Sequence, residues 1–162
     1  MEQSQQRVHS MGMIHQKLYL GDNMATIEMK DYFRNLSEYI INSFGKDNHV
    51  TMALEMEKYE LDVDMAIPIG LIVNELITNS LKYAFPDDRK GKIQLSLKGK
   101  EDLIILEVID DGVGMQLSKE AVGTGFGTKL VALLVKQLDG KMEMQTTEGT
   151  SVFIRFKASK AA

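Results

Sequence analysis

Between Val50 and Phe156 the apolar spacing switches repeatedly between the period of a strand and the period of a helix, which constrains the fold more than any other feature. Val50, Met52, Leu54 and Met56 alternate with Thr51, Ala53, Glu55 and Glu57, the pattern of a half-buried strand. A helix follows. Pro68 is expected in its first turn, where a missing N–H costs no hydrogen bond, and Phe85-Pro86-Asp87-Asp88 stops it after about Ala84. Ile93, Leu95 and Leu97 alternate again, Lys98 to Asp102 with Gly99 inside predicts a hairpin turn, and Leu103 to Ile109 is the return strand. A glycine-rich stretch from Gly112 to Gly127 leads into a helix marked by Leu130, Val131, Leu134, Val135 and Leu138 and closed by Gly140. Strands around Met142–Thr146 and Ser151–Phe156 are joined by a turn at Glu148-Gly149. The pattern predicts an α+β domain, a two-layer sandwich of a mostly antiparallel sheet with helices on one face.

N-terminal helices precede this domain. Val8, Met11, Ile14 or His15, and Leu18 recur at spacings of three and four, an amphipathic stripe over Glu2 to Leu20 that Gly21-Asp22-Asn23 breaks. Phe33, Leu36, Ile40 and Phe44 open a second helix, with Gly45 as its cap. Striped helices with little to cover them pack on another chain or another segment. The expected division is an appendage over residues 1–22, a domain over 23–158 that includes one N-terminal helix, and a loose tail over 159–162.

With 162 residues, 44% hydrophobic and 26% charged, the chain can bury a core unaided. The lack of cysteine excludes disulfides, a catalytic thiol and zinc sites built on thiolates. A net charge of −4 argues against a sequence-independent nucleic-acid binder. No run nears the ~18 apolar residues of a membrane span, and Met1 to His9 lacks the apolar core of a secretory signal. A cytoplasmic location without membrane contact is expected.

Three stretches could carry chemistry. On the helix after Pro68, Glu75, Asn79 and Lys82 are four and three residues apart and fall within roughly 60° of one another, beside an apolar arc of Ile69, Ile72, Val73 and Leu76. Taken alone, this polar seam reads first as a solvated face with an i,i+7 ion pair. Next, Ile109-Asp110-Asp111-Gly112-Val113-Gly114-Met115 ends an apolar strand. Asp110 could accept a hydrogen bond from a ligand amino group while Gly112 and Gly114 let the ligand approach, although an ordinary Asp-Gly turn has the same composition. Last, Gly123-Thr124-Gly125-Phe126-Gly127-Thr128 opens a helix, where free N–H groups and the helix dipole attract an anion. No βαβ unit surrounds it, which disfavours a Rossmann site.

The order of these stretches, completed by Gly149-Thr150 before the last strand, resembles the ATP-binding Bergerat fold of the GHKL superfamily. The ATP-binding part of DNA gyrase, the large heat-shock chaperone, sensor histidine kinases and mismatch-repair ATPases share that fold. Asn74-Glu75-Leu76-Ile77-Thr78-Asn79-Ser80-Leu81-Lys82-Tyr83-Ala84-Phe85-Pro86 resembles the N box of a histidine kinase with the second type of dimerisation and phosphoacceptor domain. Arg7-Val8-His9-Ser10-Met11-Gly12-Met13-Ile14-His15-Gln16-Lys17-Leu18-Tyr19 is similar to the second dimerisation helix of that group. The resemblance spans about Gln6 to Phe156.

It implies ATP and Mg²⁺ as cofactors, with Asn79 ligating the metal and Glu75 orienting the metal shell or the attacking imidazole. Lys82 would meet the phosphates, and Tyr83 would lie against adenine or ribose. Asp110 would receive the adenine amino group over a floor shaped by Gly112 and Gly114, with the Thr150 hydroxyl nearby. Gly123, Thr124, Gly125, Phe126 and Gly127 would form the lid over the triphosphate. The implied activity is transfer of the γ-phosphoryl group to a histidine, and the implied partners are a response regulator, an upstream sensor and a second copy of the chain. A nucleotide-sensing module without catalysis and an anti-sigma-type serine kinase share the fold and stand as alternatives.

Two departures matter. Asn74 replaces the His that usually precedes the N-box Glu in histidine–tryptophan–glutamate kinases, which favours their sister group. The acceptor run of the first dimerisation helix, a His-His-Arg-Val-Lys-Asn-Asn-like segment, is absent, and His9, His15 and His49 lie in other contexts. The chain is therefore expected to be a C-terminal part of a sensor kinase.

Overall fold

The computed structural model describes residues 5–13, 26–114 and 126–158. The chain is helical over residues 5–13 (α1). There follow β1 (Thr26–Glu28), α2 (Met29–Ser43), β2 (Val50–Leu54), β3 (Glu60–Asp62) and α3 (Val63–Asn79). A π-helical turn, Ser80–Ala84, continues α3 and leads to β4 (Gly91–Lys100), β5 (Leu103–Asp110), α4 (Phe126–Gln137), β6 (Lys141–Gln145) and β7 (Thr150–Lys157).

Five strands form one sheet in the order β2-β4-β5-β7-β6. Only β2 and β4 run parallel; the other pairs are antiparallel. Helices α2, α3 and α4 lie side by side over it, α2 on β2, α3 on β5 and α4 on β6. This is the expected two-layer α+β sandwich. Ile93, Leu95 and Leu97 of β4, Ile104, Leu106 and Val108 of β5, and Val152, Ile154 and Phe156 of β7 are all buried, so alternation has put every second residue into the core. Among the described residues no helix is long and apolar enough to cross a membrane.

Four local expectations change. The antiparallel pair β1–β3 has no counterpart in the apolar pattern, because three residues per strand are too few to display a period. Pro68 is the sixth residue of α3 rather than part of its first turn, so the Asp64 carbonyl loses its helical partner inside the element. The β4–β5 hairpin is tighter than expected, with Lys100 paired to Leu103 and only Glu101 and Asp102 between them. Gly99 belongs to the strand, where the Tyr59 ring lies against it. Finally, Asp139 (φ 51°), not Gly140, is the left-handed residue ending α4, and the Gly140 amide donates to the Val135 carbonyl. Gly45 does cap α2, in the left-handed conformation.

Helix α1 docks on α2 and α3. The Ser10 and Tyr32 hydroxyls lie 2.7 Å apart, His9 stacks on Tyr39 with ring centroids 3.8 Å apart, and Thr78 donates to Gln6 Oε1 at 3.3 Å. Burial pushes the Tyr32 phenol up from 10.0 to about 12, with the Ser10 hydrogen bond pulling the other way.

Candidate functional site

Strand β5 places the first functional group. Ile104, Leu106 and Val108 face the helices, and the same period puts Asp110 on that face at the strand's end, 3% exposed. A carboxylate buried this deeply needs hydrogen bonds, and it has them. Oδ1 accepts from the Gly112 and Thr150 amides, both at 3.1 Å, and Oδ2 accepts from the Ser80 hydroxyl at 2.7 Å. Thr150 is the cross-strand partner of Asp110, which explains why the two come together from opposite ends of a long sequence interval.

Ser80 reaches Asp110 because α3 widens there into the π-helical turn Ser80–Ala84. Single π turns of this kind recur at functional sites. Ser80 is a site residue that the motif pattern does not single out. Its one signal in the sequence is its place directly after Asn79, at the end of a helix that abuts an apolar strand.

A cleft with about 460 Å³ of empty space opens beside Asp110. Leu76, Val108, Met144 and Val152 give it apolar walls, while Asn79, Tyr83 and Thr150 line it together with Asp110. Apolar walls around one buried acceptor suit an aromatic base that carries an amino donor. Gly114 (φ 77°) is also part of the lining. Gly112 is needed for a different reason than ligand access: a Cβ there would collide with the Ala84 carbonyl oxygen, which accepts from the Val113 amide at 3.0 Å. Close packing of the strand end on the π turn requires glycine at that position.

The polar seam of α3 is not a solvated face. Glu75 is 1% exposed, and its Oε1 pairs with Arg7 Nε of α1 rather than with Lys82. Among the described residues, its buried Oε2 has no hydrogen-bond partner. At the start of α4, a Cβ on Gly127 would lie 2.6 Å from Glu75 Oε2 and 4.0 Å from Asn79 Oδ1. Glu75, Asn79 and the first turn of α4 therefore converge. Lys82 is exposed and stands apart from the cleft lining, because the π turn breaks the 100° spacing that would have aligned it with Asn79. Phe126 opens α4. Gly123, Thr124 and Gly125, expected in the lid, lie outside the described residues, as does His15.

Sequence and structure comparisons bear on the family and the fold. Residues 64–160 match the family described as "Histidine kinase-, DNA gyrase B-, and HSP90-like ATPase", and residues 1–44 match a family described as "Histidine kinase". The chain is similar to blue-light-activated histidine kinase 2 of Erythrobacter litoralis, 27% identical over 157 residues, covering 91% of this chain and 44% of that protein. It thus spans less than half the length of that relative. An anti-sigma F factor of Bacillus licheniformis is 28% identical over 102 residues, covering 63% of this chain and 66% of that one. Among solved structures, the histidine kinase domain of an Erythrobacter litoralis blue-light activated histidine kinase superposes with a TM-score of 0.84 at 25% identity, over 98% of this chain and 76% of that one. The mycobacterial sensor histidine kinase MprB shares the fold at 16% identity, with a TM-score of 0.65 over 84% of this chain and 98% of that one. The chain belongs to the histidine kinase-, DNA gyrase B- and HSP90-like ATPase family, an ATP-binding family, and within it represents the catalytic-domain type of sensor histidine kinases.

Proposed function

We propose that this chain is the ATP-binding catalytic part of a protein histidine kinase, with residues 23–158 as its nucleotide-binding domain and residues 1–22 as part of the dimerisation helix. One observation carries the reading. Asp110, oriented by three donors, faces an apolar cleft whose rim brings Asn79 and the buried Glu75 to the start of α4. Asp110 accepts the adenine amino group there, Tyr83 and the apolar walls hold the ring, and Thr150 completes the pocket. The triphosphate then runs toward Asn79, Gly127 and the segment containing Gly123, Thr124 and Gly125, with Lys82 at its outer edge.

The donor fits Mg²⁺: Asn79, which lines the cleft, offers an amide oxygen, a hard ligand, and Glu75 Oε2, buried without a hydrogen bond among the described residues, lies near it. Asn79 would hold the ion, which when bound neutralises phosphate charge. Transfer proceeds by attack of an acceptor imidazole nitrogen on the γ-phosphorus, forming a P–N bond as the bond to the bridging oxygen breaks and ADP departs. Glu75 orients the imidazole by accepting its N–H. Positioning supplies most of the rate.

His9 is stacked on Tyr39 and His49 Nδ1 is buried, and no acceptor run surrounds His9, His15 or His49 in the sequence, which favours an acceptor histidine on a separate dimerisation helix. A response regulator, a sensor region and a second copy of the chain are the partners expected of such an enzyme in the cytoplasm. The match of residues 1–44 to a histidine kinase family favours this reading over an anti-sigma serine kinase.

Radiolabelled ATP with Mg²⁺ and a helical peptide carrying the His-His-Arg-Val-Lys-Asn-Asn-like acceptor run tests the proposal. Acid-labile, base-stable phosphate on the peptide histidine is expected. Transfer to a serine, or none to histidine, would overturn it.

A further inference from the structure

Nothing in the reaction as described employs Arg7, although it reaches from α1 to the deepest carboxylate of the site. Glu75 has two distinguishable oxygens. Oε1 is held by Arg7 Nε, and Oε2, beside Gly127, has no hydrogen bond among the described residues. A carboxylate at 1% exposure, on a side chain with three rotatable bonds, is positioned only if something fixes one of its oxygens. We propose that Arg7 is the positioning residue of Glu75, clamping one oxygen so that the other is presented to the reacting groups. The inference rests on the reading that Glu75 serves the reaction.

The clamp is separable from the docking of α1. Among the described residues, Gln6 with Thr78, Ser10 with Tyr32 and His9 with Tyr39 also hold that helix. Removing the guanidinium therefore leaves α1 seated and Glu75 unfixed. The clamp also brings α1 into direct contact with the catalytic centre.

The test compares the unaltered chain with Arg7→Met, Arg7→Lys, Arg7→Ala, Gln6→Ala and Glu75→Gln. Turnover is read as ATP hydrolysis or as transfer to the acceptor peptide; calorimetry with ADP and thermal melting are run in parallel. Arg7→Met should lower kcat roughly tenfold to a hundredfold, the range for loss of a group that orients a reacting ligand. Its ADP affinity should stay near that of the unaltered chain, while its melting temperature should fall because Glu75 is left buried without its partner. Arg7→Lys should recover part of the rate. Added guanidinium, at tens of millimolar, should rescue Arg7→Ala but not Glu75→Gln. Gln6→Ala, which loosens α1 without touching Glu75, should keep its rate. Unchanged turnover in Arg7→Met would overturn the proposal, and increased turnover would make Arg7 an inhibitory latch instead. Equal losses in Arg7→Met and Gln6→Ala without guanidinium rescue would reduce Arg7 to a structural contact. Full activity in Glu75→Gln, by contrast, would remove the underlying role of Glu75, a separate failure.

Discussion

Asp110 replaces an apolar residue at the end of a row that otherwise builds the core, and three donors hold its carboxylate in place there. Asn79, by contrast, lines the open cleft, and no described hydrogen bond ties its side chain to the fold. The two residues should respond differently to mutation. Asn79→Ala should abolish the Mg²⁺-dependent part of ATP binding while the melting temperature stays within a few degrees of the unaltered chain. A collapse of stability together with binding would make the residue structural. Asp110→Asn presents an amide N–H₂ where donors already converge, so ATP affinity should fall by about 1–3 kcal/mol in calorimetry. Asp110 is legible in the sequence because an apolar alternation running into Asp-Gly marks a strand end with a carboxylate on the core side. Ser80 and Arg7 are not. A serine after an asparagine carries no periodic signal, and the Arg7–Glu75 pair joins residues 68 positions apart, a relation that helical spacing cannot encode.

Helix α3 is the element on which the site depends, and its seating rests on a contact invisible in the sequence. A Cβ on Gly70 would overlap Tyr32 Oη and lie 2.9 Å from the ring, so α2 crosses α3 only because that position is glycine. Gly70→Ala should therefore destabilise the domain by about 1–3 kcal/mol in urea unfolding despite its gain in helix propensity. Tyr32→Phe, which removes Oη, should recover part of that loss. Unchanged or increased stability in Gly70→Ala would contradict the packing.

Tyr32 also gives α2 a pH signature. The unfolded phenol ionises near 10.0, whereas the buried one holds its proton to about 12. The unfolded state binds fewer protons in that interval, so stability declines as pH rises from 10 to 12, by roughly 2–3 kcal/mol at most. Denaturation curves across that interval should fall more steeply for the unaltered chain than for Tyr32→Phe; parallel curves would contradict the burial. Elements with four or more alternating residues, such as β4, β5 and β7, can be read directly from the chain. The pair β1–β3 and the position of Pro68 cannot, because short strands lack a period and tertiary packing extends α3 one turn upstream of its proline.

For the molecule as a whole, the sheet delivers Asp110 and Thr150 while the helical layer delivers Glu75, Asn79 and Ser80, so the site exists only where the two layers meet. The layered fold is readable from the alternation of periods. The docking of α1 across α2 and α3 is not, since its outer face keeps Val8 and Met11 exposed and the stripe alone does not say which side is covered. With His9 stacked on Tyr39, the chain incubated with labelled ATP and Mg²⁺ should form no stable phosphohistidine of its own. Acid-labile phosphate on His9 or His15 would make one of them the acceptor and contradict this assignment.

The most direct measurement is a calorimetric titration of the chain with MgADP and, separately, MgGDP. Guanine carries a carbonyl where adenine carries the amino group that Asp110 accepts. Saturable binding of one ADP per chain is expected, with GDP weaker by about 1–3 kcal/mol and with the preference erased in Asp110→Asn. No binding of ADP, or equal affinity for ADP and GDP, would contradict the assignment of the cleft as an adenine nucleotide site.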